Sequence, residues 1–393
     1  MRVLGRPARQ VLAIGLGQML AWGSTTYITA VVAAPVGRDL GLSVGLFFAA
    51  FSVSLGVMAL VGPAIGRRID RRGGRGVMAL SSLVMAAGLG LLSLATGAPL
   101  LFAAWCVLGI GMGLGQYDAA FASLVYEHGR AASRMIVGVT LLGGFASTLA
   151  WPLSTWIVEH GGWRLCCQAW AAMHLLIGVP LHLRFVGRVR QPPVGDGAAG
   201  APAAGAPSPA RPTSDLVRLA VFAGATAFVT SALAVHLPTL LVAAGSTPAQ
   251  ALLAGVLLGP AQVAARFAEF AIGQRYGLHP LLTARVATVL HPIACLLLAG
   301  LTGWPFVGAA FAMIHGAGTG MISVARGVLP LALFGPAGYG AITGRLAVAA
   351  RVMQALAPFV FALVLESHGA WAALGLSGTL ASAAAWALWR LRR

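Results

Sequence analysis

Along the whole chain, runs of roughly 20 mostly apolar residues recur, the length an α-helix needs to cross about 30 Å of hydrocarbon at 1.5 Å per residue. They fall approximately at 10–34, 43–65, 77–96, 99–125, 135–157 and 164–185, then at 216–242, 249–272, 282–300, 305–327, 343–364 and 371–389. Composition agrees. Of 393 residues 59% are hydrophobic and 9% charged, where a soluble domain carries about 25% charged residues. The expected fold is therefore an all-α polytopic membrane protein with twelve transmembrane helices, and the lipid bilayer is its first partner.

The stretch between the sixth and seventh runs differs in kind. It carries Pro192, Pro193, Pro202, Pro207, Pro209 and Pro212 among alanine, glycine and serine, and such a segment cannot bury enough apolar surface to fold. This divides the chain into an amino-terminal six-helix bundle at 1–187, a flexible cytoplasmic linker at 188–215 and a carboxy-terminal six-helix bundle at 216–393. Arginine placement sets the orientation, because basic residues in short loops stay on the cytoplasmic side. With both termini inside, 20 of the 26 basic residues lie in or beside cytoplasmic segments, and only Arg38 and Arg164 fall outside. The arginines before the first run, Arg2, Arg6 and Arg9, resemble a signal-peptide start. That run is a full span with no small-residue cleavage pattern before Arg38, which predicts a retained first helix in the cell inner (plasma) membrane.

A formal charge of +17 would suggest nucleic acid in a soluble protein, but a nucleic-acid surface is polar and interleaved with aromatics. Here the arginines lie between apolar runs, so no nucleic-acid partner is expected, and no obligate protein partner is evident. No lysine is present, which excludes Schiff-base chemistry and a G-x-x-x-x-G-K-[ST] nucleotide loop. Cys106, Cys166, Cys167 and Cys295 lack metal-ligand spacing. No cofactor or metal is expected. No Ser/His/Asp cluster sits at a common depth, so the chain is not read as an enzyme.

Between the second and third runs stands Gly66-Arg67-Arg68-Ile69-Asp70-Arg71-Arg72-Gly73-Gly74-Arg75. Gly66 and Gly73 suit a tight hairpin, Asp70 can attract a helix amino terminus, and the arginines hold the loop inside. In letters and position it resembles the G-x-x-x-D-R-x-G-x-R loop of the major facilitator superfamily. A weaker echo without the aspartate, Gly273-Gln274-Arg275-Tyr276-Gly277, lies between runs eight and nine. The resemblance covers essentially the whole chain. It implies the major facilitator fold of two six-helix halves, a small-molecule substrate near the bilayer midplane, and alternating access around it. It also implies that Gly66, Asp70, Arg71, Gly73 and Arg75 form a latch holding the halves together in the outward-facing state.

Charged side chains within spans cost roughly 2.5 kcal/mol or more each, so those retained usually face a partner or a wet cavity. Arg351 sits about nine residues into run eleven, on the order of 13 Å deep. Arg266 lies on run eight with Gln262 one turn before it and Glu269 nearly one turn after. Gly255, Gly259, Gln262 and Arg266 can form one stripe. This pattern is similar to the monocarboxylate and oxalate/formate branch of the superfamily, whose members bind carboxylates with a basic residue on helix eight and in some cases another on helix eleven. The resemblance implies an anionic substrate at Arg266 and Arg351, and a guanidinium fork suits a carboxylate. The alternative is structural pairing, such as Arg266 with Glu269. Asp118, on run four, is the only carboxylate well inside the amino-terminal half and is the proton-coupling candidate; Glu269 is its rival. Run one combines Gln18, Trp22, Thr25 and Thr26 in a cavity-lining pattern that equally fits a helix interface. Gly109, Gly111, Gly113 and Gly115 are read as packing glycines. Run five lacks the G-P-x-x-G-G element usual in drug antiporters of the superfamily.

The expected function is secondary active transport of a small organic anion, a carboxylate, by proton symport or exchange. The alternative is export of drugs or toxic small solutes such as metalloid oxyanions, with the arginines structural.

Overall fold

The computed structural model describes residues 5–187, 213–301 and 303–391. The predicted linker at 188–215 lies outside the described residues as far as 212, and so do both chain ends. All regular structure among the described residues is helical. Fourteen α-helices follow one another: α1 (Arg6–Trp22), α2 (Thr29–Leu40), α3 (Val44–Arg72), α4 (Arg75–Ser93), α5 (Ala98–Gly115), α6 (Tyr117–His128), α7 (Ala132–Gly143), α8 (Ala146–Met173), α9 (Val179–Phe185), α10 (Thr213–Ala243), α11 (Pro248–Tyr276), α12 (Pro280–Gly300), α13 (Val307–Phe334) and α14 (Tyr339–Trp389). A π-helical turn at Gly23–Tyr27 joins α1 to α2, and a second at His174–Gly178 joins α8 to α9.

The sequence explains many ends. Ser43 caps α3, its hydroxyl accepting from the Leu46 amide at 3.1 Å. Thr247 and Gln250 form a reciprocal capping box at the start of α11, satisfying amide groups a helix start leaves open. α3 runs past its predicted end at 65 to Arg72, because arginines are good helix formers and favourable at a carboxy terminus. Gly73 stops it at φ +76 and ψ 169, a backbone region open essentially to glycine alone.

Gly73 is therefore expected to be intolerant of a methyl group. A Cβ there would also lie 2.9 Å from the Tyr126 ring, so Gly73→Ala should lose about 1–3 kcal/mol. Gly76, on α4 with nothing within 4 Å of its Cβ position, is the control. Thermal unfolding in detergent should lower the first variant and leave Gly76→Ala near wild type.

Nine helical runs among the described residues are long and apolar enough to cross a membrane, the longest being Ala98–Phe185 at 88 residues and Tyr339–Trp389 at 51. Both exceed one crossing. The first is interrupted at Gln116, Gly129 and Gly162 and the second at Gly369, whose φ of 82 departs from the helix. Leu60, Leu176, Leu296 and Phe359 are 72–81% exposed, which suits a surface solvated by lipid rather than water.

The chain clusters into two compact units. Among the described residues the first comprises 5–187 with Phe334–Arg345, so the first turns of α14 belong to it. Its core gathers Phe47, Trp105, Cys166, Cys167 and Trp170, with Phe47 and Phe51 edge-on to Trp105 at 5.6 and 5.1 Å. A Cβ on Gly109 or Gly113 would run into α3, at Ser54 and Val61, and one on Gly111 or Gly115 into α4, at Met85 and Ser81. The predicted packing role of these glycines follows directly. The second unit comprises 213–333 and 346–391, with Phe228, Leu240, Phe311 and Phe361 in its core. There Gly316 and Gly320 bring α13 against the backbone of α11 at Leu258 and Gln262, and Gly318 brings it against Ala287 of α12.

Candidate functional site

In the first unit the polar residues of α1 meet a break in a neighbouring helix. The chain leaves helical geometry at Gln116 (φ −74, ψ −175), and Tyr117–Asp118 begin a new helix inside what hydropathy reads as one span. Gln18, fully buried, donates to the Gly115 carbonyl at 2.7 Å. Gln116 donates to Thr25 Oγ1 at 3.2 Å, and Trp22 packs on Tyr117 with ring centroids 5.3 Å apart. Gln18 Oε1 and Trp22 Nε1 are buried without a hydrogen-bond partner among the described residues. Thr25 is buried and Thr26 half-buried on the π turn, the Thr26 carbonyl accepting from Thr29 at 2.7 Å.

Asp118 lies half-buried in the first turn of α6, where a carboxylate opposes the positive helix end. It acts electrostatically on Tyr339, which is 1% exposed. Gln18, Trp22, Thr25 and Asp118 thus converge on the break. Discontinuous helices within a bilayer present backbone groups that can bind a ligand, and π turns recur at functional sites.

In the second unit Arg266 is 9% exposed on α11 and Arg351 7% exposed on α14. Arg266 Nε donates to the Gly320 carbonyl at 3.3 Å, an approach the missing side chain of Gly320 permits. Arg351 Nη1 donates to Gln354 Oε1 at 2.8 Å. Gln262 is half-buried one turn before Arg266, with its backbone against Gly320. Glu269 lies within electrostatic reach of Arg266; its Oε2 is buried without a hydrogen-bond partner among the described residues. Gly255 and Gly259 face open space, so the expected stripe on α11 serves no close helix contact at its first two positions.

At the α3–α4 loop, Asp70 reaches the start of α14 within the first unit. Its two carboxylate oxygens accept from the Gly340 and Ala341 amides, each at 2.8 Å. Gly66 lies directly against Gly340. Gly73 shapes the turn, Arg71 is exposed and Arg75 half-buried. Sequence reasoning missed a second polar knot, in which buried Glu127 accepts from Gln10 at 2.9 Å and from the Gly187 amide at 2.5 Å, with His128 Nε2 2.7 Å from Gln10 Oε1. The polar residues Gln10 and Glu127 within or beside apolar runs were the available signal.

A family model described as Major Facilitator Superfamily matches residues 14–358. No curated protein sequence matches the chain. Among solved structures, the human organic anion transporter MFSD10 (TETRAN) is 18% identical with a TM-score of 0.73, covering 98% of this chain and 100% of its own. The transporter FucP, in its outward conformation, gives 11% and 0.75 over 97% and 98%. The proton:xylose symporter XylE, bound to 6-bromo-6-deoxy-D-glucose, gives 15% and 0.74 over 98% and 95%. At these identities the likeness is one of fold. With the family model spanning most of its length, this chain, a multi-pass membrane protein and not an enzyme, belongs to the major facilitator superfamily of transporters.

Proposed function

We propose that the protein is a secondary active transporter of small carboxylates, working by alternating access with proton symport or exchange, as in the monocarboxylate and oxalate/formate branch. The observation that carries this reading is Arg266. A guanidinium within a span costs roughly 2.5–3.5 kcal/mol, and this one is buried with a neutral backbone carbonyl as its Nε acceptor. A carboxylate docking on the remaining edge of the fork would offset that cost. Arg351, with Gln354 as a neutral acceptor, is the second anion-binding group. MFSD10 is described as an organic anion transporter, which accords with the same substrate class. Gln262, Gln18, Trp22, Thr25 and Thr26 are the proposed neutral contacts, and Asp118 and Glu269 the proposed proton carriers. The reading includes twelve crossings in two halves of six, a cytoplasmic linker and termini, and the inner membrane as location.

Glu269 favours the second reading, export of toxic solutes with Arg266 paired structurally, because a carboxylate already lies within reach of that arginine. Reconstituted vesicles under an inward proton gradient separate the two. Uptake of labelled acetate, lactate and oxalate should be saturable and fall about 10- to 100-fold in Arg266→Gln or Arg351→Gln, the worth of one charge-assisted hydrogen bond. Expulsion of a cationic dye with no carboxylate uptake would sink the carboxylate reading.

A further inference from the structure

At one end of the first unit the fold ties the start of α1 to the end of α9 through a single carboxylate. Glu127, 2% exposed in the last turn of α6, accepts from the Gln10 side chain of α1 at 2.9 Å and from the Gly187 amide, just beyond α9, at 2.5 Å. Further along, the two helices touch: a Cβ on Gly17 of α1 would sit 2.6 Å from His182 Nε2 of α9. α1 and α9 are therefore close-packed neighbours, and the first turn of one lies level with the last turn of the other.

That shared end carries three exposed guanidinium groups, Arg6 and Arg9 on α1 and Arg184 on α9. Arg6 acts electrostatically on Glu127, but both oxygens of that carboxylate are already engaged by Gln10 and Gly187. Beyond the arginines the surface turns apolar. α1 exposes Leu12 at 42% and Leu16 at 39%, and α9 exposes Leu183 at 40%. Arg9, Leu12 and Leu16 follow one another at the three- and four-residue spacing that keeps side chains on one helix face. The outer surface of this helix pair thus presents cations at its end and an apolar stripe leading away from them.

We propose that the α1–α9 face of the first unit binds an anionic phospholipid, its phosphate held by Arg6, Arg9 and Arg184 and an acyl chain lying along Leu12, Leu16 and Leu183. Charge and apolarity succeed one another on this face as they do along the lipid. Guanidinium forks take phosphate oxygens two at a time, and basic clusters at the ends of membrane helices attract anionic headgroups. A zwitterionic headgroup would bring its own cation against the arginines, so the face selects by net headgroup charge. Orientation of the chain alone does not ask for this arrangement. Retention of a basic loop on one side of the membrane requires only that its arginines be present, not that two helix ends distant in sequence be joined, nor that an apolar stripe continue from them. The inference holds whatever solute the protein carries.

Native mass spectrometry of the full-length protein, titrated in detergent with dioleoyl phosphatidylglycerol or dioleoyl phosphatidylcholine, counts bound lipids of each kind. Wild type should hold phosphatidylglycerol at least about tenfold more tightly. Arg9→Gln/Arg184→Gln should weaken that binding about 25-fold, at about fivefold for each arginine beside a charged headgroup, and leave phosphatidylcholine unchanged. Arg67→Gln/Arg68→Gln removes the same charge from exposed positions on α3 and should bind as wild type does. Equal loss in the two double variants would mean general attraction to a basic protein and would overturn the site. Equal affinity of the wild-type protein for both lipids, a result that depends on no variant folding, would overturn it too. Glycerol 1-phosphate carries the charge without the tails and should leave the lipid in place; displacement by it at equal concentration would show a phosphate site rather than a lipid one.

Discussion

Asp70→Ala protein is expected to unfold with about 2–4 kcal/mol less stability than wild type, since a hydrogen bond to a charged group contributes about 1.5–3 kcal/mol and this carboxylate accepts two. The first amide groups of a helix have no partner within it. Most helices solve this with a local serine, threonine or aspartate, but α14 follows Gly335-Pro336-Ala337-Gly338, which carries no capping side chain. Asp70 supplies the cap from 270 positions away. Asp70→Asn should lie between alanine and wild type, because an amide presents one oxygen acceptor where the carboxylate presents two. Chemical or thermal unfolding in matched detergent decides the matter. Coincident curves for Asp70→Ala and wild type would show that the cap contributes nothing.

Gly66→Val carries the second large expectation. A Cβ at this position would collide with the Gly340 carbonyl, a backbone atom with no rotamer to yield. Overpacking of this kind costs typically 1–3 kcal/mol, and here it would also pull Asp70, one turn further along α3, away from its amides. The loss should therefore exceed about 3 kcal/mol, joining the strain to part of the hydrogen-bond contribution. Gly62→Ala, one turn earlier, would place its methyl 3.8 Å from the Gly344 carbonyl, an ordinary contact, and should melt near wild type. If both variants melt alike, the close approach at Gly66 is not what holds α14 in place.

How much of this was legible in the sequence depended on the range of the interaction concerned. The all-helical, membrane-crossing character of the chain was legible, because burial in lipid imposes length and apolarity on each span independently of its neighbours. The ability of Asp70 to attract a helix amino terminus was legible as well. Which helix it caps was not, since the answer lies in the Gly335–Gly338 segment, without a capping side chain, far along the chain. The break at Gln116 was hidden for a different reason: a hydropathy window averages over a turn whose backbone changes while its composition does not. The π turn at Gly23–Tyr27 leaves a trace, a run of small and polar residues in mid-span, that fits cavity lining and a helix interface equally well. Arg266 and Glu269 were legible as neighbours from their three-residue spacing. The reach of Arg266 to Gly320 depends on packing between α11 and α13, which no local pattern encodes.

The alternating glycines of α5 carry one more consequence. Successive helical residues turn by about 100°, so positions two apart point to nearly opposite sides. Gly109 and Gly113 smooth the side toward α3, and Gly111 and Gly115 the side toward α4. Helices elsewhere interlock through side chains that must leave their rotamers before one can shift past another. At these four positions α5 has no such teeth, so the mechanical resistance it offers to axial displacement is small on both sides at once. Bulk added at any one of them would act as a brake on whatever displacement the transport cycle requires of α5, even where the folded state accommodated it.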